Sequence, residues 1–233
     1  MAGRVLAVFA GPPCGTWSVS RFNELSDMTR GPRPVRSPAS PWGIPGLKRR
    51  ERRDVELGSQ LLRATVGLMY VAAAVGAIFI MEHPAEPTYK PECPSSWRLP
   101  ELQHAFQHLG VRRALIHQCA LGAPSMKPTE LAIANAPSLA DQASVIRCPG
   151  RGHKHVNLMR RGADGSFGTA VAKEYPQPCA PGWRSVYTMP LLRRSALPGS
   201  AMAVNFGMGR RSWASTTCTS HLTRTTRVAL LAP

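Results

Sequence analysis

The chain has 233 residues, 43% of them hydrophobic, which is compatible with one globular domain that has a real core. Its formal net charge of +16 favours polyanionic partners, because cations that bind phosphates release counterions. The six cysteines are scattered with no Cys-x-x-Cys pair, which argues against a disulfide framework and for reduced intracellular thiols.

Residues 4–10 read as a buried strand, carried by the run Val5-Leu6-Ala7-Val8-Phe9-Ala10. The strand lies so close to Met1 that no leader sequence is expected. Gly11-Pro12-Pro13-Cys14-Gly15-Thr16-Trp17-Ser18 ends it. Proline cannot donate to a sheet ladder and pushes the residue before it to extended geometry, while Gly15 frees the turn. Cys14 is thereby placed on a stiff loop at the carboxyl edge of a strand, where open α/β sheets place their ligand sites. Cysteine is the most nucleophilic side chain near neutral pH once its pKa is lowered.

Residues 19–47 are rich in Pro, Arg and Ser and are predicted to form a long mobile loop. Lys48 to Val75 is predicted as one long helix. Arg30, Arg33, Arg36, Lys48, Arg49, Arg50, Arg52 and Arg53 face a single acid, Glu51, over residues 30–53. Cations oppose the dipole at a helix start, so this cluster points toward phosphates rather than helix stability. The stretch from Ala64 to Met81 is uncharged and near the length of a membrane span. Leu61, Leu62, Val66, Met69, Ala72 and Ala73 keep helical spacing, however, and Gly76 breaks the run. A buried helix feeding a strand, Ala77-Ile78-Phe79-Ile80-Met81, is expected, with no membrane partner.

Glu82-His83-Pro84 closes that strand. Ser95 or Ser96 is placed to cap a helix over Leu99–Leu109, with Pro100 in its first turn and Gly110 ending it. Val111–Cys119 and Leu131–Ala134 read as further strands, and the alternation of strands and helices argues a parallel sheet. Cys148, His153 and His155, with Cys119 or Cys179, hold metal-capable atoms. Cys-x4-His-x-His is not a standard zinc spacing, so residues 148–155 read as a basic surface turn and no metal is assigned. Phe167–Tyr175 is expected to be a short helix closing at Pro176. After Glu174 there is no acidic residue, and from about Ser195 a disordered tail is expected.

The Cys14 segment resembles the catalytic loop of the DNA (cytosine-5) methyltransferases, whose signature is a Pro-Pro-Cys after a strand. Two more matches follow in the family's order. Glu82-His83-Pro84 stands where the family has Glu-Asn-Val or Glu-Asn-Pro. Gly122-Ala123-Pro124-Ser125-Met126-Lys127-Pro128-Thr129, entering Glu130-Leu131-Ala132-Ile133-Ala134, looks like the family's Gly-Val-Pro-Gln-x-Arg-x-Arg run. The resemblance covers residues 4–135 and implies an α/β, partial Rossmann-like fold of the S-adenosylmethionine-dependent methyltransferases. Its sheet would be incomplete and mostly parallel, with helices in layers on either side and an irregular basic tail. Residues 1–145 would be the catalytic half, 146–194 a basic extension and 195–233 the tail.

By the same resemblance, Cys14 is the nucleophile that adds to C6 of a flipped cytosine, and Glu82 the carboxyl group that protonates N3. Pro12, Pro13, Ser18, Arg21, His83, Pro84 and Lys127 fall at positions around the substrate. S-adenosyl-L-methionine is the implied cofactor, nucleic acid, and DNA in particular, the implied partner, and an intracellular site, nuclear in a eukaryote, the implied location. His83 departs from the family's Asn, Ser125 from its Gln, and Lys127 and Thr129 from its two arginines. A lysine keeps a point charge for a phosphate and loses the bidentate fork. The family's Phe-x-Gly-x-Gly cofactor loop precedes the Pro-Pro-Cys strand, and no such loop is found here; Gly162 to Gly168 follows no strand. The expected function is therefore that of a fragment or degenerate relative of these methyltransferases. The alternative is a non-catalytic basic nucleic-acid-binding module, of the kind carried in mobile-element polyproteins.

Overall fold

A computed structural model of the chain describes residues 5–23, 32–150 and 152–158, residues 165 and 168–169, and three short strands beyond them. Strand β1 (Ala7–Ala10) leads through the Cys14 loop and a single 3-10 turn (Val19–Phe22) to helix α1 (Arg49–Ala74). Strand β2 (Ile78–Pro84), helix α2 (Pro100–His108), strand β3 (Arg112–His117), strand β4 (Pro128–Ala134) and helix α3 (Pro137–Ser144) follow. The short strands are β5 (Asn205–Phe206), β6 (Thr226–Arg227) and β7 (Ala229–Leu230), the last of which pairs with β1. The helix expected at 167–175 and most of the tail from 195 lie outside the described residues.

The sheet runs β3-β4-β2-β1-β7. The chain is therefore α/β with an open mixed sheet, and the expected mostly parallel pairing is corrected. Only β1 and β2 pair in parallel, while β4 is antiparallel to both β2 and β3. The reason is the length of the connections. Residues 18–77 and 85–111 leave room for helices α1 and α2, whereas residues 118–127 hold one 3-10 turn. A parallel crossover needs a dozen or more residues, usually with a helix, so the shorter link returns the chain as a reversed strand. That strand slots between β2 and β3, so β1, β2 and β3 still run in one direction.

Both faces of the sheet are covered. On one face Val8, Ala10, Phe79, Met81, Ala132 and Ala134 pack against Leu62, Met69 and Ala72 of α1 and Leu102, Ala105 and Phe106 of α2. On the other, Ala114, Ile116, Leu131 and Ile133 pack against Ala140 and Ala143 of α3, with Ile78 and Ile80 beside them. The period-2 alternation along β2 and β4 sends alternate residues into the two layers. The uncharged stretch from 64 to 81 is split between the end of α1 and β2, as its periodicity predicts. No helix among the described residues is long and apolar enough to cross a membrane.

The segment expected to be a mobile loop is different over 32–47. It has no regular structure, yet Val35 and Arg36 are each only 1% exposed. Helix α3 was not foreseen; Pro137 occupies its first turn, where proline fits.

Candidate active site

The three motif segments meet at one edge of the sheet. Ala10, the last residue of β1, pairs with Met81, so the Cys14 loop leaves the sheet beside Glu82. Across the other side of β2, Glu82 pairs with Leu131 and Pro84 with Thr129. Segments distant in sequence are thus brought together by two ladders.

The Cys14 loop is tightly organised. The Trp17 amide donates to the Cys14 carbonyl at 2.9 Å, closing a turn around Gly15 and Thr16. Below it lies Arg36, whose guanidinium donates to Thr16 Oγ1 (3.0 Å), the Pro41 carbonyl (2.7 Å), the Val55 carbonyl (2.9 Å) and Ser59 Oγ (3.1 Å). It also sits 4.1 Å from the centroid of the Trp17 ring. Among the described residues all of its hydrogen-bond acceptors are neutral, and burial brings its pKa down to about 10, with Arg21 adding repulsion. A guanidinium buried on neutral oxygens and an aromatic face holds the loop by geometry rather than by an ion pair.

Two further cations fasten the loop. Arg21 donates to the Gly15 carbonyl (2.7 Å) and the Arg33 carbonyl (2.8 Å), so it staples the loop to residue 33 instead of standing out toward a phosphate. Lys90 donates to the Phe22 carbonyl (2.9 Å) and to Asn23 Oδ1 (2.6 Å). Ser18 caps the 3-10 turn, its Oγ taking the Ser20 amide at 3.3 Å. Pro12 is buried and Pro13 half-buried, as the end of a strand requires. Cys14 itself is a partly exposed thiol.

At the end of β2, neighbouring residues point to opposite faces. His83 lies toward α1 and α2, with Trp17 and Trp97 edge-on at 6.5 and 6.1 Å between ring centroids. Its Nδ1 shares a hydrogen bond with Ser96 Oγ at 2.7 Å. Burial holds its pKa down at about 3, with Arg36 and Lys127 contributing positive charge. Pro84 accepts the Trp97 indole N–H at 2.6 Å. Glu82, 8% exposed, lies toward the opposite face. There Gln118 Nε2 reaches both Glu82 Oε1 (3.5 Å) and Thr129 Oγ1 (3.1 Å). Thr129 is fully buried in the place of the family's second arginine. Lys127, in the place of the first, is half-buried and has φ +34°, a strained conformation for a residue with a side chain.

Gln118 and Lys90 were not singled out from sequence; Arg36 was read only as one of a basic cluster, Ser96 as a helix cap and Thr129 as a departure from the family's second arginine. Nothing distinguishes Arg36 from its exposed basic neighbours until the fold buries it. Three buried polar atoms around this edge, Trp17 Nε1, His83 Nε2 and Gln118 Oε1, have no hydrogen-bond partner among the described residues. Such atoms are uncommon in folded proteins.

S-adenosylmethionine is the cofactor that the resemblance implies. In the family a glycine-rich turn between strand and helix cradles it. The connection from β2 to α2 contains no glycine. In the connection from β1 to α1, Gly43 is crowded by Val55, 3.0 Å from where a Cβ would stand, whereas Gly15 and Gly46 have nothing within 4 Å. Comparison with family models, with curated proteins and with solved structures finds no match for the chain.

Proposed function

We propose that this chain is the catalytic half of a DNA (cytosine-5) methyltransferase-like protein. The observation that carries the reading is the pairing of Ala10 with Met81 and of Glu82–Pro84 with Leu131–Thr129, which brings the three motif segments to one end of the sheet. The partial Rossmann-like fold is part of the proposal. Strands β1, β2 and β3 run in one direction, as such a fold requires, with β4 and β7 reversed among them.

The chemistry follows from what these two side chains can do to cytosine. The Cys14 thiolate adds to C6, breaking the C5–C6 double bond, while the Glu82 carboxylic acid gives a proton to N3. The ring is then an enamine, nucleophilic at C5. Solvent can protonate C5, the original C5 proton can leave, and expulsion of the thiolate restores the double bond as N3 returns its proton to Glu82. S-adenosylmethionine, when bound, supplies the methyl group that would take the place of the solvent proton. The family's glycine-rich cofactor loop is not found in the sequence, so methyl transfer would draw on a cofactor-binding element from elsewhere.

Hydrogen exchange at C5 tests the nucleophile without the cofactor. DNA labelled with tritium at cytosine C5 should lose the label to water in the presence of the chain, and Cys14→Ala should abolish the loss. A folded chain that releases no tritium, with or without the methyl donor, would overturn the assignment.

A second reading is favoured by the start of α1. Arg49, Arg50, Arg52 and Arg53 are exposed and line one open depression with Glu56. A non-catalytic nucleic-acid-binding module would use this face, and its affinity would survive Cys14→Ala.

A further inference from the structure

Past α3 the chain turns back onto the connection between β3 and β4. The His117 amide donates to the Ile146 carbonyl (3.0 Å), the Cys148 amide to His117 Nδ1 (2.9 Å), and the Val156 amide to the Pro124 carbonyl (2.8 Å). These bonds lay the stretch from Ile146 to Val156 beside the 3-10 turn of Gln118–Leu121, which carries Cys119. Gly150 and Gly152 have φ of +80° and +84°, a conformation that L side chains rarely adopt. The His153 amide donates to the Gly150 carbonyl at 3.2 Å, which brings His153 back toward Cys148.

The result is a cluster of soft and borderline ligands. One ligand atom from each of Cys119, Cys148, His153 and His155 lies within 4.8 Å of the others. Cys148 Sγ is 3.5 Å from His155 Nε2, and the two imidazoles meet edge to face at 4.8 Å between centroids. His153 Nε2 is buried with no hydrogen-bond partner among the described residues. Two thiols and two imidazoles satisfy one another poorly by hydrogen bonding alone, and a cation would give each a partner at once.

The dimensions fit zinc. Zn–S bonds of about 2.3 Å and Zn–N bonds of about 2.0 Å put tetrahedral neighbours roughly 3.3–3.8 Å apart. The Cys148–His155 pair already has that separation, and the widest pair needs to close by about 1 Å. Two thiolates also neutralise a divalent ion, and an S2N2 set selects zinc among the common divalent metals. Cys119 is buried, Cys148 and His153 half-buried and His155 exposed, so an ion can enter from solvent.

We propose that Cys119, Cys148, His153 and His155 form a structural zinc site, closed by four protein ligands, that clamps the stretch from Ile146 to Val156 onto the β3–β4 connection. The site is independent of the methyltransferase reading. It also adjoins that reading's residues, because Cys119 follows Gln118, and the clamped connection carries Lys127.

The test uses the full chain expressed with zinc in the medium. Elemental analysis should find about one zinc per chain. After chelation, Co2+ titration should give the intense visible bands of a tetrahedral site with thiolate charge transfer in the near ultraviolet. His155→Ala and Cys148→Ser should each weaken Co2+ binding at least tenfold. A folded chain without zinc, whose Co2+ spectrum is the pale one of an octahedral aquo ion, would overturn the proposal. So would zinc held equally well by both variants, which would place it elsewhere. If Cys148→Ser does not fold, exposed His155→Ala and the wild-type stoichiometry decide.

Discussion

Burial beside the Cys14 loop pushes two titratable groups toward neutrality, with different consequences. Arg36 is brought down only to about 10 and stays charged at neutral pH, so it remains a five-donor clamp on Thr16, Ser59 and two carbonyls. His83 is held at about 3, chiefly by desolvation, and stays neutral across the ordinary range. The unfolded chain takes up this proton near pH 6.5, while the folded chain refuses it down to about 3. Between these limits the unfolded state binds more protons, so stability falls as pH falls and is fully present only above about 6.5. One such proton gives a slope of at most about 1.4 kcal/mol per pH unit. Urea unfolding of the chain and of His83→Asn from pH 7.5 to 4.5 checks this. The variant, carrying the family's own residue, should lack that part of the acid slope; equal slopes would show that His83 takes up its proton as readily in the fold as in the unfolded chain. Cys14, Glu82 and His83 were all legible in the sequence as motif residues. That Glu82 and His83 face opposite sides of the sheet follows from strand alternation, once the segment is known to be a strand to Pro84.

Helix α1 contains two glycines with opposite surroundings. Gly67 is exposed, with nothing within 4 Å of where a Cβ would stand. Gly58 is buried under the Cys14 loop, and its Cβ would meet Thr16 Oγ1 at 3.3 Å, an Arg36 guanidinium nitrogen at 3.4 Å and the Pro13 carbonyl at 3.6 Å. Alanine exceeds glycine in a helix interior by about 0.8–1 kcal/mol. Gly67→Ala should therefore stabilise the chain by about that amount. Gly58→Ala should forfeit the gain, because Thr16 and Arg36 are tied to each other and cannot yield separately. Paired thermal melts read the difference directly, and equal stabilisation would mean that the loop moves aside at no cost. Helix α1 itself was legible from its apolar spacing, and its boundaries in the fold, Arg49–Ala74, lie one residue inside the expected ones. The glycine beneath the loop was not legible, since its role depends on Pro13, Thr16 and Arg36 packing over it.

For the whole molecule, net charge is the dominant physical fact. At +16 the chain should bind DNA with an affinity that falls steeply with salt. Replacing Arg49, Arg50, Arg52 and Arg53 by Gln should flatten the log–log salt slope by about 0.9 for each duplex phosphate that is no longer neutralised. An unchanged slope would place the polyanion on another face. The α/β class and the order of its elements from β1 to β4 were readable from the residues, because apolar periodicity is local and encodes which faces are buried. The direction of β4 was inferable only from a short connection, residues 118–127, and the parallel expectation overlooked it. The burial of Arg36 and the meeting of Cys119 with Cys148, His153 and His155 were decided in three dimensions alone. Local pattern records what each residue prefers; which distant side chains share a site depends on strand pairing and loop return, and those are set by packing across the whole chain.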